Sequence, residues 1–478
     1  MQPLKKNLSE LLFVLTVVLL LVPSARGQIK LTTLFSFTNL SKGTVPAARL
    51  VQGPDGSFYG TTEQGGAYGL GTVFKINSTG AFSNLLSFTG TGGAYPGEAP
   101  VAGLIWGADG NLYGTTQYGG TSNNGTVFGL TTNGAFTSLV SFSGTNGAYI
   151  GANPAAGLVW GTNAGLGALY GTTQFGGTND IMNGGDGTIF VVTTNSLFTN
   201  LVSFTGTNGL FLGANPVGDL VRGTNGSLYG TTQYGGTNDL ANYGDGEIFR
   251  LLPSGIFGPI YSFNTVDGAS PQAGLTLGKD GNFYGTTYYG GTFSFGTIFK
   301  ITPGGVLATL ASFNNVNGAN PQAALVQGLD GNFYGTATVG GTNNSYGTVF
   351  QLASGGPLTA LINFAGTNGR YPVAGLIQGT DGNFYGTTPS GTTSPQGTAF
   401  RFPPPPLFLN WYATNNLIKF TWSAATGQVY QVQMTTNLSP SAWNNLSGTI
   451  NGTNSVMTGS DALGGAGQHR FYRVGLLP

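Results

Sequence analysis

Carboxylate and amide side chains are concentrated in two insertions of a chain that otherwise contains few charged residues. The insertions occupy positions 178–187 and 237–246 and repeat nearly the same order of residues. Oxygen atoms of carboxylates and amides are the ligands that calcium prefers, so both segments are candidate calcium sites. Their spacing differs from that of an EF-hand loop, and a turn rich in Asp and Asn is the alternative interpretation. The candidate ligands are Asp180, Asn183, Asp186, Asp239, Asn242 and Asp245.

Aromatic residues in two recurring groups of loops form the second candidate site. Flat rings stack on the apolar faces of sugars, while neighbouring Asn and Gln side chains satisfy the sugar hydroxyls. Exposed rings at these positions predict a glycan or protein ligand, and packing between neighbouring repeats is the alternative interpretation. The rings are Tyr95, Tyr149, Phe211 and Tyr371 in one group of loops and Tyr118, Phe175, Tyr234 and Tyr289 in the other.

Groups that could perform catalysis are scarce. The chain has no cysteine, which excludes thiol nucleophiles and Cys-ligated metals, and His469 is its single histidine. Because general acid–base catalysis needs titratable groups in a pocket, the composition favours a binding protein without a cofactor, calcium excepted. A carboxylate-dependent glycan-active enzyme is the alternative, since several acids lie in adjacent repeats. These acids are Asp180, Asp186, Asp219, Asp239, Asp245 and Glu247.

The overall charge of the chain excludes several classes of partner. Charged residues make up 7% of the sequence, with 16 basic and 16 acidic side chains. A net charge of zero provides no electrostatic surface for nucleic acid or for an anionic membrane. We therefore expect no nucleic-acid partner.

A tandem repeat dominates the middle of the chain. Tyr-Gly-Thr occurs seven times, at spacings of 50 to 59 residues, beginning at Tyr59, Tyr113, Tyr170, Tyr229, Tyr284, Tyr334 and Tyr385. Each repeat contains four short apolar segments that are separated by turns rich in Gly, Asp and Asn. This order predicts an all-β fold in which each repeat is one four-stranded blade of a β-propeller. A β-solenoid is the competing interpretation.

The two ends of the repeat region are complementary. Residues 31–37 read as a fourth strand with no preceding blade, and residues 397–402 read as a third strand with no fourth strand after it. The first strand would therefore complete the last blade. The sequence predicts a seven-bladed β-propeller at residues 28–402, a ring closed by the N-terminal strand 31–37, and we expect it to be monomeric.

The flanking regions predict export and a second domain. Lys5 and Lys6, the apolar run 11–22 and a small-residue cleavage site predict a signal peptide at residues 1–27, with an uncleaved anchor helix as the alternative. We expect no transmembrane segment in the mature chain, and a secreted or cell-surface location. Residues 403–406 are a polyproline linker, and the alternating pattern in 407–478 predicts a small β-sandwich.

The repeat resembles a known family. The run from Asp280 to Lys300 is similar to the GloVer tandem repeat of exported bacterial proteins, and the resemblance extends from Leu31 to Phe402. Membership implies β-propeller repeats and an exported protein, and it implies no known reaction. Members carry C-terminal anchors, whereas this chain lacks a hydrophobic tail with a basic flank. We therefore expect a secreted propeller that binds a glycan or protein ligand, with a structural or adhesion module of the cell envelope as a further alternative.

Overall fold

Both regions of the chain that follow the predicted signal peptide are built from β-strands. The computed structural model describes residues 29–163, 165–178, 184–238, 244–391, 393, 395–414, 417–436, 443–462 and 470–477. In these residues the regular structure consists of strands and one short 3-10 helix at Leu40–Lys42. The larger of two compact units comprises Leu31–Gln378 and Tyr385–Arg401, and the smaller contains the C-terminal region. The predicted signal peptide lies outside the described residues.

Six four-stranded antiparallel sheets in the described residues are each formed by four strands that are consecutive in the chain. The strands of the first three sheets are β2 (Val51–Gln52), β3 (Phe58–Thr62), β4 (Thr72–Ile76) and β5 (Phe82–Ser87); β6 (Ile105–Trp106), β7 (Leu112–Thr116), β8 (Thr126–Leu130) and β9 (Phe136–Ser141); and β10 (Val159–Asn163), β11 (Leu166–Thr173), β12 (Thr188–Thr193) and β13 (Phe198–Ser203). The strands of the next three are β14 (Val221–Arg222), β15 (Leu228–Thr232), β16 (Glu247–Leu251) and β17 (Phe257–Ser262); β18 (Thr276–Leu277), β19 (Phe283–Thr287), β20 (Thr297–Ile301) and β21 (Leu307–Ser312); and β22 (Val326–Gln327), β23 (Phe333–Ala337), β24 (Thr348–Leu352) and β25 (Leu358–Asn363).

The last repeat takes its fourth strand from the start of the chain. Its own strands are β26 (Ile377–Gln378), β27 (Phe384–Thr388) and β28 (Thr398–Phe402). Strand β1 (Thr32–Ser36) pairs antiparallel with β28 and gives the sheet order β1–β28–β27–β26. The prediction of an all-β repeat protein with four-stranded, propeller-like sheets is confirmed.

The Tyr-Gly-Thr signature lies in the second strand of every repeat and belongs to the core. Its tyrosines are buried, apart from the partly buried Tyr170. The glycine pairs with a phenylalanine of the third strand, as Gly60 does with Phe74. A Cβ at Gly60 would lie only 2.7 Å from Cζ of Phe74, so the ring packs where a side chain would otherwise stand.

The threonine of the signature joins each sheet to the next repeat. Thr61 Oγ1 donates to the carbonyl oxygen of Ala102, at 3.2 Å, in the segment that leads into the second sheet. The same bond recurs in every repeat, and in the last one Thr387 Oγ1 donates to Ala48 O, at 3.2 Å. The intermediate bonds run from Thr115 to Ala156, Thr172 to Pro216, Thr231 to Ala273, Thr286 to Ala323 and Thr336 to Ala374.

The tyrosine of the signature is held by the turn that precedes it. Tyr284 OH donates to Asp280 Oδ2, at 2.9 Å, and the other oxygen of Asp280 accepts the backbone N–H of Asn282, at 3.1 Å. The aspartate therefore shapes the turn and also fixes the tyrosine ring. The same tyrosine–aspartate bond occurs at Tyr59, Tyr113 and Tyr334, and Asn225 replaces the aspartate beside Tyr229.

A glycine immediately before each third strand packs against a proline of the following repeat, and we call these seven contacts the glycine–proline seam. The glycines have φ between 94° and 106°, in the region that favours glycine. A Cβ at any of them would lie 2.5 to 3.0 Å from Cδ of the proline. The pairs are Gly71–Pro100, Gly125–Pro154, Gly187–Pro216, Gly246–Pro271, Gly296–Pro321, Gly347–Pro372 and Gly397–Pro46.

The C-terminal unit contains two antiparallel sheets of its own in its described residues. One has the order β29–β30–β34, and in the other β31 pairs with β32, β33 and β35. Residues from both sheets form one buried cluster that includes Phe420, Trp422, Tyr430 and Tyr472. The strands are β29 (Phe408–Thr414), β30 (Leu417–Ser423), β31 (Val429–Thr435), β32 (Asn444–Asn445), β33 (Ile450–Asn451), β34 (Val456–Ala462) and β35 (Phe471–Leu477).

Adding a single methyl group to the glycine–proline seam should destabilise the repeat region strongly. In Gly71→Ala, the new Cβ would lie 2.5 Å from both Pro100 Cδ and Thr62 O, at φ +99°. We expect the free energy of unfolding in urea to fall by about 2 to 4 kcal/mol. Gly56→Ala is the control, because Gly56 also has a positive φ (+76°) but open space around its Cβ position. The control should lose only about 1 kcal/mol, and equal losses would contradict the steric role of the seam.

Candidate functional site

Two families of loops meet at the same end of each sheet. One loop leads from the preceding sheet into the first strand, and the other connects the second strand to the third. Their backbones pair directly: Glu98 N donates to Tyr118 O, at 2.9 Å, and Tyr118 N donates to Glu98 O, at 3.0 Å. Equivalent bridges join Thr44 to Gln64, Ala152 to Phe175, Ala214 to Tyr234, Ala269 to Tyr289, Ala319 to Val339 and Arg370 to Ser390.

Exposed aromatic rings occupy this bridge position on four consecutive sheets, the second to the fifth. Their exposed fractions range from 36% to 52%. The first, sixth and seventh sheets have Gln64, Val339 and Ser390 at the same position. The four rings, which we call the aromatic row, are Tyr118, Phe175, Tyr234 and Tyr289.

Half-buried amides lie beside the aromatic row. A glutamine precedes the ring in three of the four sheets, at Gln117, Gln174 and Gln233. Gln233 Nε2 donates to the hydroxyl of Tyr234, at 3.2 Å. In the fifth sheet Tyr288 takes the place of the glutamine, and its ring meets that of Tyr289 edge to face, with centroids 4.5 Å apart.

Three of the four rings predicted in the other loop family pack against the next sheet. Tyr95 lies 5.6 Å, centroid to centroid, from Phe136 on the fourth strand of the second sheet. Tyr149 and Phe211 make the same contact with Phe198 and Phe257, at 5.5 and 5.6 Å. These rings are partly buried in the cores between sheets, so their recurrence follows from packing.

The fourth ring of that family differs from the other three. Tyr371 is 37% exposed and lies 5.9 Å, centroid to centroid, from Tyr346. The guanidinium of Arg370 stands 5.5 Å from the Tyr371 ring centroid. Tyr371 therefore presents an aromatic surface in the seventh repeat, outside the aromatic row.

Two of the candidate calcium ligands are described, and they support the backbone of the insertions. The carbonyl oxygens of Asp186 and Asp245 accept the N–H groups of Asn215 and Ser270 in the following repeat, at 2.9 and 2.8 Å. Asp180, Asn183, Asp239 and Asn242 lie outside the described residues. Within the described ranges no group of three or more His, Cys, Asp or Glu residues is arranged to hold a metal ion. Calcium binding therefore stays a prediction.

Glu247 is an acidic residue at a position where the other six repeats have threonine. It begins β16 and lies between Thr232 and Ser262 of the neighbouring strands. In five other repeats the equivalent threonine shares a hydrogen bond of 2.7 to 2.9 Å with a threonine of the second strand, as Thr72 does with Thr62. The sequence signal is Gly246-Glu247, where the other repeats have Gly-Thr.

The carboxyl group of Glu247 is buried beneath an open surface depression. Its residue exposure is 0%, and Oε1 accepts a hydrogen bond of 2.7 Å from Ser262 Oγ. None of the described residues is a hydrogen-bond partner of Oε2. Burial raises the pKa of Glu247 to about 7, against the opposing effect of the Ser262 hydrogen bond. The depression is open to solvent, and its lining also includes Leu212, Thr237, Asn238, Pro259, Ile260 and Tyr261.

The fold and its loops define a class of protein. It is a repeat protein with propeller-like sheets and a loop face that bears aromatic rings. The model of the Gloeobacter/Verrucomicrobia repeat family matches residues 22–180, 97–277, 150–327 and 238–460. The chain belongs to this family, which confirms the resemblance seen in its repeats. None of the curated proteins matches the chain. The described residues include no helix with the length and apolar character needed to cross a bilayer.

Several solved structures have distant similarity to the chain. The extracellular domain of a protein described as a hybrid two-component system of B. thetaiotaomicron has 12% identity and a TM-score of 0.49, covering 93% of this chain and 57% of that one. A gluconolactonase of Xanthomonas campestris has 13% identity and a TM-score of 0.37, covering 80% of this chain and 92% of that one. A puromycin hydrolase has 10% identity and a TM-score of 0.41, covering 81% and 60%.

Replacing Glu247 with threonine should stabilise the protein mainly at alkaline pH. The pKa of Glu247 is raised from 4.5 to about 7 on folding, so ionisation of the buried carboxyl opposes folding. This destabilisation is absent below about pH 4.5, grows up to about pH 7 and is complete above it. Glu247→Thr should therefore gain about 2 to 3 kcal/mol more unfolding free energy at pH 8.5 than at pH 4.5, measured in urea.

The isosteric variant Glu247→Gln separates the effect of charge from that of the restored threonine pair. It removes the ionisable group but places no hydroxyl beside Thr232. It should show the same dependence on pH as Glu247→Thr. Gains that are equal at pH 4.5 and pH 8.5 in both variants would rule out the carboxyl as the source of the instability.

Proposed function

We propose that the repeats form a seven-bladed ring closed by strand β1. The pairing of β1 with β28 supports this arrangement. So do the hydrogen bond from Thr387 Oγ1 to Ala48 O and the stacking of Phe58 on Tyr385, with ring centroids 3.9 Å apart. The hydrogen bond and the ring stacking are of the kinds that join the other neighbouring repeats.

The ring is a secreted, non-catalytic module that binds a glycan through its loop face. The single observation that carries this proposal is the aromatic row, with four exposed rings at one bridge position on consecutive sheets. Ring faces favour the apolar faces of sugars, and the adjacent glutamines supply both donors and acceptors for hydroxyl groups. The apolar run and cleavage site in residues 11–27 support secretion.

Removing one ring of the aromatic row should weaken glycan binding by roughly tenfold, because one stacking contact is lost. A glycan array with the purified chain would identify a binding glycan, and calorimetry with that glycan would compare variants. Tyr234→Ala removes a ring from a repeat that carries an acidic insertion. Tyr118→Ala removes a ring from the second repeat, which has no such insertion. Val339→Tyr should extend the row to the sixth sheet and strengthen binding of longer glycans.

Ile256→Ala is the matched control for these variants. Ile256 is 64% exposed and follows the turn between the third and fourth strands, at the opposite end of the fourth sheet. Its loss should leave glycan affinity unchanged. Absence of binding across the array, or equal weakening in Tyr234→Ala and Ile256→Ala, would contradict a glycan site at the aromatic row.

A carboxylate-dependent glycan-active enzyme is the second candidate function. It is favoured by Glu247, because burial raises the pKa of this residue to about 7. A carboxyl group with such a pKa can carry the proton that a general acid delivers to a leaving group. Hydrolysis of an array-selected glycan that is abolished in Glu247→Gln would establish this function over simple binding, and intact glycan after prolonged incubation with wild-type protein would reject it.

A further inference from the structure

The second repeat places a carboxylate beside one ring of the aromatic row. Glu98 and Tyr118 are bridge partners, because the backbone N–H of each donates to the carbonyl oxygen of the other, at 2.9 and 3.0 Å. Directly opposite residues of an antiparallel pair project to the same side, with Cβ atoms about 4.5 to 5.5 Å apart. The same bridge in the seventh repeat shows this contact, since Arg370 Nε donates to Oγ of its partner Ser390, at 3.2 Å. Glu98 and Tyr118 therefore lie side by side on the loop face.

The carboxylate is specific to this ring of the row. The bridge partners of Phe175, Tyr234 and Tyr289 are all alanines. Because alanine suffices at the equivalent position in three repeats, the fold itself does not require a carboxylate there. Glu98 is partly exposed and Tyr118 is 40% exposed, so a ligand can reach both side chains.

Hydrogen bonds fix the backbone on both sides of the Glu98–Tyr118 pair. After Glu98, the N–H of Ala99 donates to the carbonyl oxygen of Leu70, at 3.0 Å. On the other strand of the bridge, Thr116 Oγ1 donates to the carbonyl oxygen of Tyr118, at 2.8 Å. The two side chains are therefore carried by an ordered backbone, which reduces the entropy that binding would cost.

The loops that carry the aromatic row contain acids and no bases. In the second to fifth repeats, neither family of loops has a Lys or Arg in its sequence. Glu98 takes part in none of the ion pairs found among the described residues. This charge distribution favours a cationic ligand over an anionic one. The acids of these loop sequences are Glu98, Asp180, Asp186, Asp219, Asp239, Asp245 and Asp267.

We propose that the Glu98–Tyr118 pair binds the ammonium group of an amino sugar in the glycan that occupies the aromatic row. The ammonium group donates hydrogen bonds to the carboxylate, and the face of the Tyr118 ring attracts the same positive charge. An N-acetyl group on the sugar nitrogen would remove that charge. The inference rests on the proposed glycan site and adds the charge of the ligand, which the row of rings alone does not define.

Calorimetry of the full chain with three β-linked hexasaccharides tests the proposal. The probes are the hexamers of glucosamine, N-acetylglucosamine and glucose, of which only the first is positively charged. The glucosamine hexamer should bind about tenfold more tightly than either neutral hexamer. This preference should decrease in about 0.5 M salt, because salt screens the attraction between exposed charges.

Glu98→Gln removes the charge of the side chain and retains its size. It should lower the affinity for the glucosamine hexamer about fivefold and leave the affinities for the neutral hexamers within about twofold of wild type. A purely structural role of Glu98 would instead weaken all three hexamers equally. Glu63→Gln is the matched control, because Glu63 is an acid of the first repeat, where Gln64 occupies the bridge position in place of a ring. The control should keep the preference for glucosamine.

The possible outcomes separate this inference from the glycan site itself. Circular dichroism shows that each variant is folded before its affinities are compared. Equal affinities of the three hexamers, an unchanged preference in Glu98→Gln, or equal losses in Glu98→Gln and Glu63→Gln would each overturn the inference. If a neutral glycan still binds and loses affinity in Tyr234→Ala, the glycan site at the aromatic row stands without it. If none of the hexamers and no glycan of the array binds, both proposals fail.

Discussion

The contact between each repeat and the next is the constraint on which the whole repeat region depends. A four-stranded sheet of short strands has too little buried surface to be stable alone, so its stability comes from its neighbours. The glycine–proline seam brings adjacent repeats within van der Waals contact at one end of the sheet. The signature threonine adds a hydrogen bond between a second strand and the following repeat, seven times over. These positions leave almost no freedom of residue type, which explains why the same few residues recur through a chain of otherwise variable loops.

Features that could bind a ligand arise where the repeats are free to differ. The bridge position between the two loop families needs only its backbone for pairing, so its side chain varies from Gln64 through the aromatic row to Val339 and Ser390. Glu247 is a different case, because it replaces a core threonine with a buried carboxyl group. Buried ionisable groups of this kind are common at functional sites, where local rules of stability are broken.

Much of the architecture could be predicted from the sequence, because each strand is bounded by its own turn residues and repeated seven times. The candidate site was harder to predict. Tyr95 and Tyr118 look alike in sequence, yet one packs on Phe136 and the other is 40% exposed, and this depends on which loop reaches the neighbouring sheet. The substitution at Glu247 was visible as a break in the Gly-Thr pattern. Its importance depends on burial and on the missing donor at Oε2, which arise only from three-dimensional packing.

The pairing of the first strand with the last sheet has a consequence for how the protein is made. The last and first repeats are also joined by the hydrogen bond between Thr387 and Ala48, which are 339 residues apart in the sequence. Synthesis proceeds from the N-terminus, so β1 must remain without its partner until almost the entire repeat region has been produced. During that interval both β1 and, later, the edge of β28 are open to pairing with other chains. Folding of a single chain therefore requires β1 to pair with β28 of the same chain before either strand pairs with a second copy.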